Sequence, residues 1–181
     1  MSRRRLDSPL PCSKVMDPQD FDQLRGPVAL IDSLPQVLEG QHAIRRWEYA
    51  MALYAIRLWA VTPTGTRPHD QPCLYDIGGA GSQFWRALRD DIPAETAIMR
   101  VDPSIQLPFG AEGGCVHFPD HSDCQFGVEE WAQHLPASAD VVTCLSVLEH
   151  LPDVPAACRA LHRLLRPGGL LGAGLAVQRF F

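Results

Sequence analysis

Five of the eight residues in Tyr75–Ser82, YDIGGAGS, are small, and an acid stands ahead of them. Asp76 precedes Gly78, Gly79, Ala80 and Gly81. Side chains this small let a backbone turn come close to a ligand. A second acid, Asp102, closes the apolar run AIMRVD. It lies about 20 residues beyond the turn, where a carboxylate that accepts from two ribose hydroxyls belongs. His150 follows the run DVVTCLSVL, and an imidazole there suits proton transfer. Cys115, His117, His121 and Cys124 fall within CVHFPDHSDC and are the residue types of a zinc site. The segment lacks the C-x-x-C pair of finger and ribbon patterns, and no metal is assigned to it.

The turn does not fit a dinucleotide. G-x-G-x-x-G begun at Gly79 gives Gly79, Gly81 and then Phe84 in place of the third glycine. An acid beside a pyrophosphate would also repel it. S-adenosylmethionine carries no phosphate but has an ammonium and a sulfonium, and a carboxylate at a strand end attracts that charge directly or through water. LYDIGGAGS resembles the first motif, D-x-G-x-G-x-G, of the class I S-adenosylmethionine-dependent methyltransferases. Asp76 and Gly78 match it. Ala80 and Ser82 stand where glycine is usual, and Gly79 and Gly81 fill the variable places.

ADVVTCLSVLEHLPDV is similar to the fourth-strand motif of the same superfamily, in the branch where LEHL follows the strand. LHRLLRPGGLL is similar to the helix, turn and fifth strand that come next. The resemblance runs over about 72–171, with 103–128 poorly matched. It implies S-adenosylmethionine as cofactor, held by Asp76, Gly78, Gly79, Ala80 and Gly81, with Asp102 on the ribose. It also implies an acid on adenine at the end of the third strand, Glu129 or Glu130 with Asp123 behind them. Leu145 and Ser146 would lie near the methionine part. His150 is the base where the acceptor must lose a proton. The function implied is methyl transfer to a small-molecule acceptor. The alternative is a truncated, cofactor-binding but inactive partner module.

The elements that must position these residues alternate. CLYDI is strand-like and SQFWRALRD helix-like, with Ser82 as N-cap. TAIMRVD and DVVTCLSVL read as strands, with a third strand near CVHF or CQFGV and a helix near VEEWAQHL. DVPAACRALHRLLRPGG reads as a helix capped by Asp153 and ended by Pro167 and two glycines, before a final weak strand LLGAGLAV. The expected fold is α/β: a Rossmann-like, mostly parallel sheet with helices on both faces. Ahead of it, Ile44, Trp47, Met51, Tyr54 and Leu58 form one apolar face of a helix. Residues 1–40, rich in Pro and turn residues, are expected to be an irregular extension, and 41–181 the domain.

Of the 181 residues, 46 % are hydrophobic and 20 % charged, as in a globular domain. The net charge of -5 argues against a nucleic-acid binder. No apolar run reaches membrane-span length. Six cysteines without a tight framework read as buried thiols, and a cytoplasmic location is expected. The superfamily sheet has seven strands, whereas this sequence stops at Phe181, just after the fifth. The sheet is therefore expected to lack the last two strands. Its open edge would allow homo-oligomer formation.

Overall fold

Short apolar runs form one sheet. β1 (Cys73–Ile77), β2 (Ala97–Val101), β4 (Ser122–Cys124), β5 (Ala139–Leu145) and β6 (Leu165–Gly174) run parallel, and β3 (Cys115–His117) pairs antiparallel with β4. The computed structural model describes residues 43–61, 71–82, 84–89, 92–109 and 111–174. The expected extension over 1–40 lies outside the described residues, as do 62–70 and the end of the last expected strand from 175.

The sheet order is β3-β4-β2-β1-β5-β6. The chain runs outward from β1 through β2 to β4, then returns to the other side of β1 as β5. The order therefore reverses between β1 and β5, and sheets of this kind bind ligands in a crevice outside the carboxyl ends of the strands at that point. Helices α1 (Ala43–Val61), α2 (Phe84–Arg89), α3 (Val128–His134) and α4 (Val154–Leu164) accompany the strands.

The strands are apolar because both sheet faces are covered. Tyr75, Val142 and Cys144 pack on one face with Trp131 of α3 and Leu161 and Leu164 of α4. Leu74, Ile98 and Val141 pack on the other with Leu53 and Ile56 of α1 and Phe84 and Leu88 of α2. Neighbouring residues Leu74 and Tyr75, or Val141 and Val142, point to opposite faces, as a two-residue period requires.

Four sequence expectations are corrected. The buried face of α1 is Tyr49, Ala52, Leu53 and Ile56, whereas Met51 and Tyr54 are only half-buried. The side chains of Ile44, Trp47 and Leu58 lie outside the described ones. The helix is apolar on two stripes, and the stripe facing the sheet wins. The helix capped by Asp153, whose side chain accepts from the Ala156 N–H at 2.8 Å, ends at Leu164 rather than at the glycines. Leu165 already pairs with Ala139, and the ladder resumes at Val141 and Leu170. The residues between bulge, with Gly168 at φ 82° and the Arg166 guanidinium turned onto the Asp140 carboxylate.

The third strand, expected near CVHF or CQFGV, is a hairpin: β3 (CVH) falls on the first of these stretches, and the parallel strand β4 (SDC) ends at the cysteine that opens the second. Finally, Cys115 and Cys124 are not buried thiols but are bonded to each other. Antiparallel pairing puts them opposite one another, with Cα atoms 4.2 Å apart. Cys158, also expected to be buried, is exposed. Among the described residues no helix is long and apolar enough to cross a membrane.

Candidate functional site

The turn after β1 is built for close approach. Gly78 has φ 78°, and a Cβ there would lie 2.2 Å from Cγ2 of Val147, so both backbone and space require glycine. Its N–H donates to the Val101 carbonyl at 2.8 Å, which ties the turn to the end of β2. The Ser82 N–H donates to the Gly79 carbonyl at 3.0 Å, and the Ser82 hydroxyl accepts from the Phe84 N–H at 3.0 Å as α2 begins. A Cβ at Gly81 would meet open space.

Asp76 lies beneath this turn and is 3 % exposed. The Thr143 hydroxyl donates to its Oδ1 at 2.9 Å, while its Oδ2 is buried without a hydrogen-bond partner. A Cβ at Gly79 would sit 2.8 Å from that oxygen. Burial pushes the carboxyl up to about 6, and Asp102 adds to the rise; the Thr143 hydrogen bond and Arg100 oppose it. The ionised form leaves one oxygen unsatisfied, a costly state that a cation relieves.

Asp102, at the end of β2, faces the same turn. Its Oδ2 is 3.4 Å from the Ala80 N–H, and its Oδ1 accepts from the Ser104 N–H at 2.7 Å and the Ser104 hydroxyl at 2.6 Å. The structure thus brings Asp76, Gly78, Gly79, Ala80 and Asp102 to one place. Ser146 follows β5, buried, in the left-handed region at φ 53°. Its neighbour Val147 covers Gly78. Leu145 is half-buried at the strand end. His150 is exposed in a short turn of 3-10 helix, Leu148–His150. Glu129 and Glu130 are exposed in the first turn of α3. Asp123 is engaged elsewhere: Arg100 approaches it to 3.2 Å and His121 to 3.5 Å.

Two residues of the site escape the sequence reading. Arg100, two positions before Asp102 on β2, donates from Nη2 to the carbonyls of Gly79 at 2.9 Å and Ala80 at 2.8 Å, and from Nε to Gly79 at 3.2 Å. Its signal is a lone cation inside the strand AIMRV. Glu48 of α1 accepts from the Ser146 hydroxyl. Its signal is an acid between Trp47 and Tyr49 in an otherwise apolar stretch. The zinc-like set does not assemble. Cys115 and Cys124 bond to each other, His117 Nδ1 meets the Ser122 hydroxyl at 2.8 Å, and His121 Nδ1 meets Asp120 at 2.7 Å. Among the described residues, no three such side chains stand where they could hold a metal.

A doubly wound sheet that sets an unsatisfied buried acid under a glycine turn defines a class: Rossmann-like domains for a cationic nucleoside cofactor. Residues 75–171, more than half of the chain, match a family described as a methyltransferase domain. The chain belongs to that family, the class I S-adenosylmethionine-dependent methyltransferases.

A ubiquinone biosynthesis O-methyltransferase from Paracidovorax citrulli is 45 % identical over 107 residues, which is 58 % of this chain and 44 % of that protein. The enzyme of the same description from Pseudomonas aeruginosa is 51 % identical over 45 residues, 25 % of this chain and 19 % of that protein. The chain therefore spans less than half the length of these relatives. Among solved structures, a protein from Corynebacterium glutamicum is a distant likeness, with 18 % identity and a TM-score of 0.49 over 84 % of this chain and 73 % of that one. The residues present fit S-adenosylmethionine. Asp76 Oδ2 lacks a partner where a cation would supply one, and a Cβ at Gly79 would crowd that oxygen.

Proposed function

We propose that this chain binds S-adenosylmethionine across the β1/β5 crevice and serves methyl transfer to a hydroxyl of a small molecule. The observation that carries the reading is Asp76, a buried carboxylate with one free oxygen beneath a turn without large side chains. The hydroxyl acceptor is supported by the O-methyltransferase descriptions of the relatives. The cofactor supplies a methyl group on a good leaving group, so the protein mainly aligns the acceptor and excludes water.

In this reading Asp76 draws the positive charge of the cofactor toward Gly78–Gly81. Asp102 accepts from the ribose hydroxyls. Glu129 or Glu130 accepts from the adenine amino group, and Leu145 and Ser146 flank the methionine part. His150 takes the hydroxyl proton on an imidazole nitrogen. Residues 41–181 are taken as one domain, with 1–40 an extension of it.

A radiolabel assay tests the proposal. Label from S-adenosylmethionine should pass to a hydroxyl acceptor in a panel of small hydroxyl-bearing molecules with the wild-type chain, and the Asp76→Ala and Asp102→Ala variants should lose that transfer. Cofactor binding without transfer to any hydroxyl acceptor would leave only the inactive-module reading standing. A cytoplasmic location is part of the proposal and requires the Cys115–Cys124 bond to be open there. Thiol titration of protein from a reducing lysate checks this: six reactive thiols are expected after denaturation, from the six cysteines of the sequence. A disulfide persisting under those conditions would contradict it.

A further inference from the structure

We infer that Glu48, on the helix that precedes the sheet, is the carboxylate that holds the cationic amino group of the cofactor's methionine end. The inference rests on the S-adenosylmethionine reading above and adds to it a residue from outside every motif.

Two elements meet at this one side chain. The hydroxyl of Ser146, just past β5, donates to Glu48 Oε2. At Gly174, the last residue of β6, a Cβ would lie 2.6 Å from Glu48 Oε1, so the carboxylate rests directly against the strand backbone there. Ser146 runs into Val147, whose side chain lies against Gly78, the first residue of the cofactor turn. Glu48 thus stands at the carboxyl ends of β5 and β6, one residue removed from the group that covers the turn. Ser146 holds the left-handed backbone that non-glycine residues rarely adopt, and such conformations gather at binding sites.

The electrostatics favour a cationic guest. Burial raises the Glu48 carboxyl above its usual range, the Ser146 hydrogen bond lowers it, Glu149 of the 3-10 turn raises it and Arg45 of its own helix lowers it. Arg45, the one cation among these groups, makes no ion-pair contact with it, and Glu149 repels it. The ammonium suits Glu48 better than the sulfonium does, because a sulfonium has no N–H to donate. Asp76, fully buried under the turn, and Glu48, half-buried at its rim, would then divide the two charges of the ligand.

Calorimetry with three probes tests this. S-adenosylmethionine and S-adenosylhomocysteine both carry the amino group; methylthioadenosine lacks the whole amino-acid end. Glu48→Gln should weaken the first two by about tenfold, the scale of one lost charged hydrogen bond, and leave methylthioadenosine unchanged. If Glu48→Gln does not fold, Glu48→Asp, which withdraws the charge by one methylene, should show the same selective loss. Equal weakening of all three probes, or no weakening of the first two, would overturn the role of Glu48. Failure of the wild-type chain to bind S-adenosylmethionine would instead overturn the reading beneath it.

Discussion

Asp76 carries a charge that the folded chain does not fully satisfy, and this has a measurable sign. Its folded pKa, about 6, is raised above the usual 3.8 by burial. The protonated form is therefore favoured by folding. That contribution is complete below about pH 4 and is lost as pH rises through 6, by on the order of 3 kcal/mol for a shift of this size. Urea unfolding of the free chain between pH 4 and 7 should show this decline, and Asp76→Asn should flatten it. The same variant should bind S-adenosylmethionine more weakly.

Arg100 makes a second prediction at this scale. Its guanidinium joins the carbonyls of Gly79 and Ala80 to Asp123. A lysine keeps the charge but not the fork. Arg100→Lys should weaken S-adenosylmethionine binding by about 1–2 kcal/mol in calorimetry, the cost of lost charged hydrogen bonds. Asp76 and Asp102 are legible in the sequence because each ends a short apolar run at a spacing set by strand, turn and helix. Arg100 and Glu48 are not, because their partners are backbone carbonyls and a serine 98 residues away.

Among the elements, the turn from β1 into α2 is the most constrained. Gly78→Ala meets both a positive φ and the Val147 side chain. It should cost about 2–4 kcal/mol, from backbone strain plus overpacking, read as a lower melting temperature. Gly78→Ala with Val147→Ala should recover the overpacking part but not the backbone part. At α4, Asp153→Ala should cost about 1 kcal/mol by removing the cap on the Ala156 N–H. The start of α4 is legible because a cap and a proline announce it. Its end is not, because Leu165 is drawn into the ladder with Ala139 before the glycines are reached. The buried face of α1 is equally hidden, since apolar residues occupy two stripes and only the sheet chooses between them.

For the whole molecule, alternation of strand-like and helix-like runs predicts the mostly parallel sheet, and the observed order β3-β4-β2-β1-β5-β6 has it, with the reversal between β1 and β5 where such sheets form their ligand crevice. The hairpin β3–β4 is the part that alternation does not predict. Its strands are three residues each, too short to give a period, and they are joined by a cross-strand bond that spacing alone does not specify. The crevice is where the central claim stands or falls. The most direct measurement is a calorimetric titration of the wild-type chain with S-adenosylmethionine and, separately, with NAD. One saturable site for S-adenosylmethionine is predicted, weakened by on the order of 1–3 kcal/mol in Asp76→Ala and in Asp102→Ala. No heat at millimolar S-adenosylmethionine, or saturable binding of NAD in its place, would contradict it.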